Sequence, residues 1–157
     1  MALSIGTEAP DFEVVARQAG APRRIKLSEL RGQKNVVLYF YPRDFTPICT
    51  KEACGFRDMY EELLGQGTEV IGVSVDDDAS HDRFAAQHHV SFPLAADPQR
   101  VLARAYGATS WLRELTGGTS RITYVIDKQG KIAAVLKSEL SAKQHLQGAR
   151  AALAKLG

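Results

Sequence analysis

The chain carries two thiols, Cys49 and Cys54, five residues apart in the run YPRDFTPICTKEAC. A thiolate can act as a nucleophile, a metal ligand or one half of a disulfide, so these two residues define the first chemistry to consider. Cys49 stands where a loop gives way to a helix. Unpaired N–H groups and the positive end of the helix dipole gather there, and both lower a thiol's pKa. A lone cysteine is more often an inert, buried small hydrophobe; the residues around Cys49 shift the balance towards reactivity. On an ideal helix, residues spaced as Cys49 and Cys54 are have α-carbons roughly 8–9 Å apart, whereas a disulfide spans about 4.4–6.8 Å. Any bond between them therefore requires the first turns of the helix to unwind. The spacing is not C-x-x-C, and neither a second cysteine pair nor clustered histidines complete a zinc site. No metal, flavin or haem is expected.

Other chemistry-bearing residues have plainer roles. Asp76, Asp77 and Asp78, with His81 nearby, follow one apolar run and precede a helical one, where acids cap helices. His88 and His89 close that helix. Gly117 and Gly118 lack the G-K-[ST] ending of a phosphate loop. Arg23, Arg24 and Lys26 cluster near an early turn, but the net charge is only +2. A solvated loop is expected there rather than a nucleic-acid surface. Trp111 falls in an irregular stretch after Gly107, against the core or beside the site.

The elements that must position the thiols are legible from apolar periodicity. Asn35 to Tyr41 (NVVLYFY) is a buried strand ended by Pro42, and Glu69 to Val75 (EVIGVSV) is a second. Between them Ala53, Phe56, Met59, Tyr60, Leu63 and Leu64 recur at helical spacing from Cys49 onward, with Gly65 as a stop. Further helices are predicted over Ser80–Gln87, capped by Ser80, and over Gln99–Tyr106, ended by Gly107. Arg121–Ile126 and Lys131–Lys137 form a hairpin across DKQG, and Ser141 caps a last amphipathic helix through Leu156. Phe12 to Ala16 reads as a strand, and Ser28 as the cap of a single helical turn. A βαβ unit followed by a hairpin and a closing helix implies an α/β fold of the thioredoxin-like kind, a mixed central β-sheet flanked by helices.

With 157 residues, 45% hydrophobic and 24% charged, the chain is expected to fold as one domain over 1–157. A chain of this size buries roughly two-thirds of its unfolded surface and needs no covalent staple. The first residues have no basic n-region, and no apolar run approaches the ~20 residues that span a bilayer. A cytoplasmic protein with no membrane association is expected, and a reducing compartment opposes purely structural disulfides.

Pro42, Thr46 and Cys49 occupy the spacing P-x-x-x-T-x-x-C, which resembles the active-site signature of the peroxiredoxins. The second cysteine, in C-T-x-E-x-C, resembles the peroxiredoxin Q subfamily, also called bacterioferritin comigratory proteins. The likeness runs from GTEAPDF through VSVDDDASHDRF to the RITYVIDKQGKI hairpin, nearly the whole chain. It implies a peroxidase for hydrogen peroxide and organic hydroperoxides, with Cys49 as the peroxidatic thiol. By the same resemblance, Thr46 hydrogen-bonds the peroxide, Pro42 shields the site from water, and Arg121 stabilises the developing charge. Donors aimed at an oxygen leaving as an anion stabilise the transition state more than the ground state, and an arginine is always charged. Glu52, an acid expected in the first helical turn from the dipole alone, is the family's partner for that arginine. Cys54 then closes an intramolecular disulfide that thioredoxin, or a glutaredoxin, reduces. A monomer is expected, since the second thiol lies in the same helix. Two departures stand out: Ile48 replaces a frequent glycine and Tyr124 a common phenylalanine. A thiol–disulfide oxidoreductase, or a redox switch that is not a catalyst, would use the same fold and thiols.

Overall fold

The computed structural model describes residues 2–156. The chain begins with a hairpin of β1 (Glu13–Gln18) and β2 (Ala21–Lys26), then a single turn, α1 (Leu27–Leu30). Next come β3 (Asn35–Phe40), α2 (Pro47–Gly65), β4 (Thr68–Ser74), α3 (Asp78–His88) and β5 (Leu94–Ala96), two successive crossover units. Two short helices, α4 (Val101–Ala105) and α5 (Trp111–Thr116), lead to the hairpin of β6 (Ile122–Ile126) and β7 (Ile132–Lys137), and α6 (Ala142–Leu156) closes the chain. The sheet order is β2-β1-β5-β4-β3-β6-β7. β3, β4 and β5 are parallel and the remaining pairs antiparallel.

Every residue of β3 is buried, because the strand is covered on both faces. Alternation sorts its side chains. Val36, Leu38 and Phe40 join Ile122 and Tyr124 of β6 in a core with Phe12, Leu27, Leu102 and Tyr106. Val37, Tyr39 and Tyr41 join Val125 in a second core with Cys49, Phe56, Leu63, Phe84, Ala149 and Leu153. Thus α2, α3 and α6 lie over one face of the sheet and α1 and α4 over the other. The approach of α6 to α2 depends on Gly55, where a Cβ would sit 2.2 Å from Leu146 Cδ1. The hydroxyl that distinguishes Tyr124 from phenylalanine is satisfied, accepting from Leu3 N (3.0 Å) and donating to the Tyr106 carbonyl.

The expected elements form, with instructive differences. Arg23 and Arg24 lie not in a loop but on β2, where Arg23 pairs with buried Glu69 (3.0 Å) and Arg24 with Glu29 (3.0 Å). Their charge is spent within the fold. Asp77, not Ser80, caps α3, its carboxylate accepting from Ser80 N at 2.8 Å. Ser28 lies inside α1, with its N–H donated to Asp11 Oδ1. Trp111 begins α5, a helix with no buried residue, and is 75% exposed. Ser141 does cap α6, accepting from Gln144 N at 3.2 Å. The DKQG turn closes on Asp127 Oδ1, which accepts from Gln129 N and Lys131 N, with Gly130 at φ +81°. Among the described residues no helix is long and apolar enough to cross a membrane.

Candidate active site

Because β6 runs antiparallel to β3 with Ile122 opposite Phe40, the end of β3 and the start of β6 reach the same edge of the sheet. The loop 41–46 leaves from one, and Arg121 stands just before the other. Alternation turns Arg121, Thr123 and Val125 towards α2. Cys49, the third residue of α2, is 1% exposed. Arg121 Nη2 donates to Cys49 Sγ at 3.2 Å and Nη1 to Glu52 Oε1 at 3.0 Å. The fork is held from behind: Arg121 Nε donates to the Glu139 carbonyl (3.3 Å) and Arg121 N to Glu139 Oε2 (3.0 Å). Burial works against the guanidinium cation, but the facing Cys49 and Glu52 outweigh it and hold its pKa above the ordinary value.

Glu52 meets the arginine from a different place on the helix than the sequence suggests. With Pro47 as the first helical residue, Glu52 falls in the second turn, and the first turn holds no acid. It is wholly buried, so the dipole does not account for it. Burial pushes its carboxyl up to about 8 against the pull of Arg121. Its other neighbour is His145 of α6, whose Nδ1 is 2.7 Å from Thr123 Oγ1 and whose Nε2 is 2.9 Å from the Ser138 carbonyl.

Thr46 is the N-cap of α2, but its hydroxyl donates to the Arg43 carbonyl (3.0 Å) and not to the helix. Pro42 lies half-buried on the same loop. Against it sits Gly118, at φ +78°, where a Cβ would come 3.0 Å from the Pro42 carbonyl oxygen. A Cβ on Gly117 would meet Arg43 Nη2 at 2.6 Å. These two glycines hold no phosphate motif; they let the 117–120 segment lie on the loop. Cys54 is half-buried further along an unbroken helix, with Arg57 Nη1 3.6 Å from its sulfur. Both thiols are free. Cys49, Arg121 and Glu52 are brought into contact, Pro42 and Thr46 flank them, and Cys54 stands off by the helix spacing.

The loop itself is anchored by Asp44, whose role the sequence did not reveal. Its carboxylate accepts from Tyr41 Oη (2.6 Å), Ser80 Oγ (2.9 Å) and His81 Nδ1 (2.8 Å), while its own N–H donates to Asp76 Oδ2 (2.7 Å). His81 is wholly buried, its Nε2 3.2 Å from the Ala95 carbonyl. Asp76, Asp77 and His81 thus serve the fold of this corner. No group of three His, Cys, Asp or Glu residues that could hold a metal occurs among the described residues. Phe45 adopts φ +67°, and its ring packs edge-on to Phe84 at 5.2 Å. A left-handed aromatic residue is strained, and strain of this kind collects where a loop is held for function. One sequence signal was available for His81 and His145: each is a histidine on the buried stripe of its helix, beside Phe84 or between Ala142 and Ala149.

Comparison with known proteins places the site in context. The AhpC/TSA family model matches residues 5–135. Peroxiredoxin Q, chloroplastic, of Triticum aestivum is 39% identical over 144 residues, which cover 92% of this chain and 64% of that protein. The chain thus spans just under two-thirds of the length of that relative. Peroxiredoxin Bcp of Bacillus subtilis (strain 168) is 39% identical over 136 residues, 84% of this chain and 83% of that one. The crystal structure of peroxidoxin BcpB from Mycobacterium tuberculosis superposes with a TM-score of 0.85 at 37% identity, covering 98% and 97% of the two chains. The neighbours share the mixed sheet as well as the sequence, and the chain belongs to the AhpC/TSA family, alongside the peroxiredoxin Q and Bcp proteins.

Proposed function

We propose that this protein is a thiol peroxidase for hydrogen peroxide and organic hydroperoxides, with Cys49 as its nucleophile. The observation that carries it is the buried guanidinium of Arg121, which donates to Cys49 Sγ at 3.2 Å and so sets a fixed cation beside the sulfur. The thiolate attacks one peroxide oxygen. The O–O bond breaks, sulfur retains the attacked oxygen as sulfenic acid, and the other oxygen leaves as hydroxide or alkoxide and takes up a proton. Charge moves from sulfur to the departing oxygen, and a donor fixed between them stabilises that transfer without reorganising. Thr46 orients the peroxide, Pro42 keeps water out, and Glu52 fixes the guanidinium.

Cys54 then attacks the sulfenic sulfur, expelling water and forming the Cys49–Cys54 disulfide. That step requires α2 to unwind between Thr46 and Cys54, for the reason of spacing given above. Ile48, β-branched in the first turn, tunes how readily it does so. A dithiol of the thioredoxin or glutaredoxin kind restores both thiols by exchange. A monomer in a reducing compartment such as the cytoplasm suits this cycle. Intact mass after one equivalent of peroxide tests it: a loss of two hydrogens is expected in the wild type, and a gain of one oxygen in Cys54→Ser. Peroxide consumption that survives Cys49→Ser refutes the assignment.

A further inference from the structure

Behind Arg121 lies a carboxyl oxygen with nothing to bond. Glu52 Oε1 accepts from Arg121, but Oε2 is buried without a hydrogen-bond partner and faces His145 Nδ1 at 3.4 Å. Both residues are wholly buried. The Ser138 carbonyl, 2.9 Å from His145 Nε2, can only accept, so Nε2 carries a ring proton. In the neutral ring Nδ1 then presents a lone pair, which the Thr123 hydroxyl meets at 2.7 Å. An ionised Oε2 would be a wholly buried anion aimed at an acceptor. Such contacts are costly, and one more proton resolves this one.

Either Glu52 or His145 must hold that proton. On His145 it would create a second cation beside Arg121, and burial, followed by that repulsion, lowers the ring's pKa. On Glu52 it removes a buried charge. The groups facing this pair from each packed element are Cys49 on α2, Tyr39 on β3, Arg121 and Thr123 at β6, Ser138 and Glu139 after β7, and His145 on α6. Arg121 is the one cation among them. Glu139 adds negative charge, which favours the protonated carboxyl.

We propose that Glu52 is held as the neutral acid beside His145 Nδ1, so that Arg121 keeps a positive charge that Glu52 does not compensate, free for Cys49 and for the oxygen leaving from peroxide. Glu52 and His145 are positioning residues in this scheme, which rests on the peroxidase reading for its second half. When Glu52 ionises, its carboxylate competes with the thiolate and the leaving oxygen for the same guanidinium. Attack on peroxide slows as a result.

The test is a pH titration of the reduced, full chain, carrying 13C-carboxyl glutamate and 15N histidine, followed by NMR. One carboxyl is expected to titrate near 8 and to vanish in Glu52→Gln. The His145 Nδ1 resonance should move with the same midpoint while Nε2 stays protonated. A Glu52 midpoint in the ordinary carboxylate range, or a doubly protonated His145 across neutral pH, overturns the proposal. Should Glu52→Gln not fold, the wild-type carboxyl that shares its midpoint with His145 Nδ1 carries the same test. In single-turnover oxidation of Cys49 by hydrogen peroxide, the wild-type rate divided by that of Glu52→Gln should fall roughly tenfold through this pH range, the loss of one charge-assisted hydrogen bond. A flat ratio overturns the catalytic link. A midpoint near 8 in a protein that consumes no peroxide removes the activity and leaves the proton where it is placed here.

Discussion

Replacing Asp44 by alanine should damage the protein more than any exposed substitution, and the cost follows from its partners. The change removes the carboxylate that Tyr41 Oη meets at 2.6 Å and His81 Nδ1 at 2.8 Å, and leaves these two wholly enclosed groups only each other, at a long 3.5 Å. Each buried unsatisfied donor costs about 1–3 kcal/mol, so a loss of about 4 kcal/mol is expected. Ser80 is only half-buried and can turn to water, so it adds little. The change also frees a loop that holds Phe45 at φ +67°, a conformation that stores about 1–2 kcal/mol. Relaxation of that residue moves Thr46, its neighbour. Urea denaturation should therefore show the stability loss, and stopped-flow oxidation of Cys49 should show a slower first attack under conditions where the variant is folded. Adding Tyr41→Phe removes one orphaned donor and should recover about 1–2 kcal/mol. A loss below about 1 kcal/mol for Asp44→Ala, or no recovery in the double variant, refutes the reasoning.

Three further outcomes are expected. Glu52 binds its proton more tightly in the folded chain, near 8 against an ordinary 4.5, so its stabilising contribution is complete below about pH 4.5 and is lost as pH rises through about 8. Relative to Glu52→Gln, the wild type should lose about 4 kcal/mol between about pH 5 and about pH 8.5 in denaturation series, and a constant difference contradicts the burial argument. Arg121→Lys keeps the charge but cannot span Cys49 and Glu52 at once; kcat/KM for peroxide should fall about 100-fold, and a change under threefold would count against the fork. His89 ends α3 exposed at φ 55° with its N–H bonded to the Ala85 carbonyl. His89→Gly should raise stability by about 1 kcal/mol, measurable as a shift in the urea midpoint.

The legible parts of the fold were those with local periodicity. NVVLYF reads as a doubly covered strand because it is one, and α2 shows its stripe at Ala53, Phe56, Tyr60 and Leu63. β2 was hidden because an edge strand tolerates Pro22 and keeps its charged side chains near solvent. β5 has three residues, too few for any period, and exists because β4 and β1 pair with it. Among the site residues, Cys49, Pro42 and Thr46 lie within one motif, and resemblance supplied Arg121. Two residues of error at the start of α2 were enough to move Glu52 from the first turn to a buried second one. Asp44 with His81, and Glu52 with His145, are pairs made by the tertiary fold, so no spacing in the chain announces them.

The antiparallel pairing of β6 with β3 has a consequence of its own. With Ile122 opposite Phe40, the ladder acts as a gauge that fixes where the cation arrives. A slip of one position would carry Arg121 about 3.4 Å along the strand and turn it to the far side of the sheet. Lengthening the surface stretch around α5 leaves that gauge untouched. A single residue inserted into β6 could preserve a folded protein and still deliver its arginine to the wrong core.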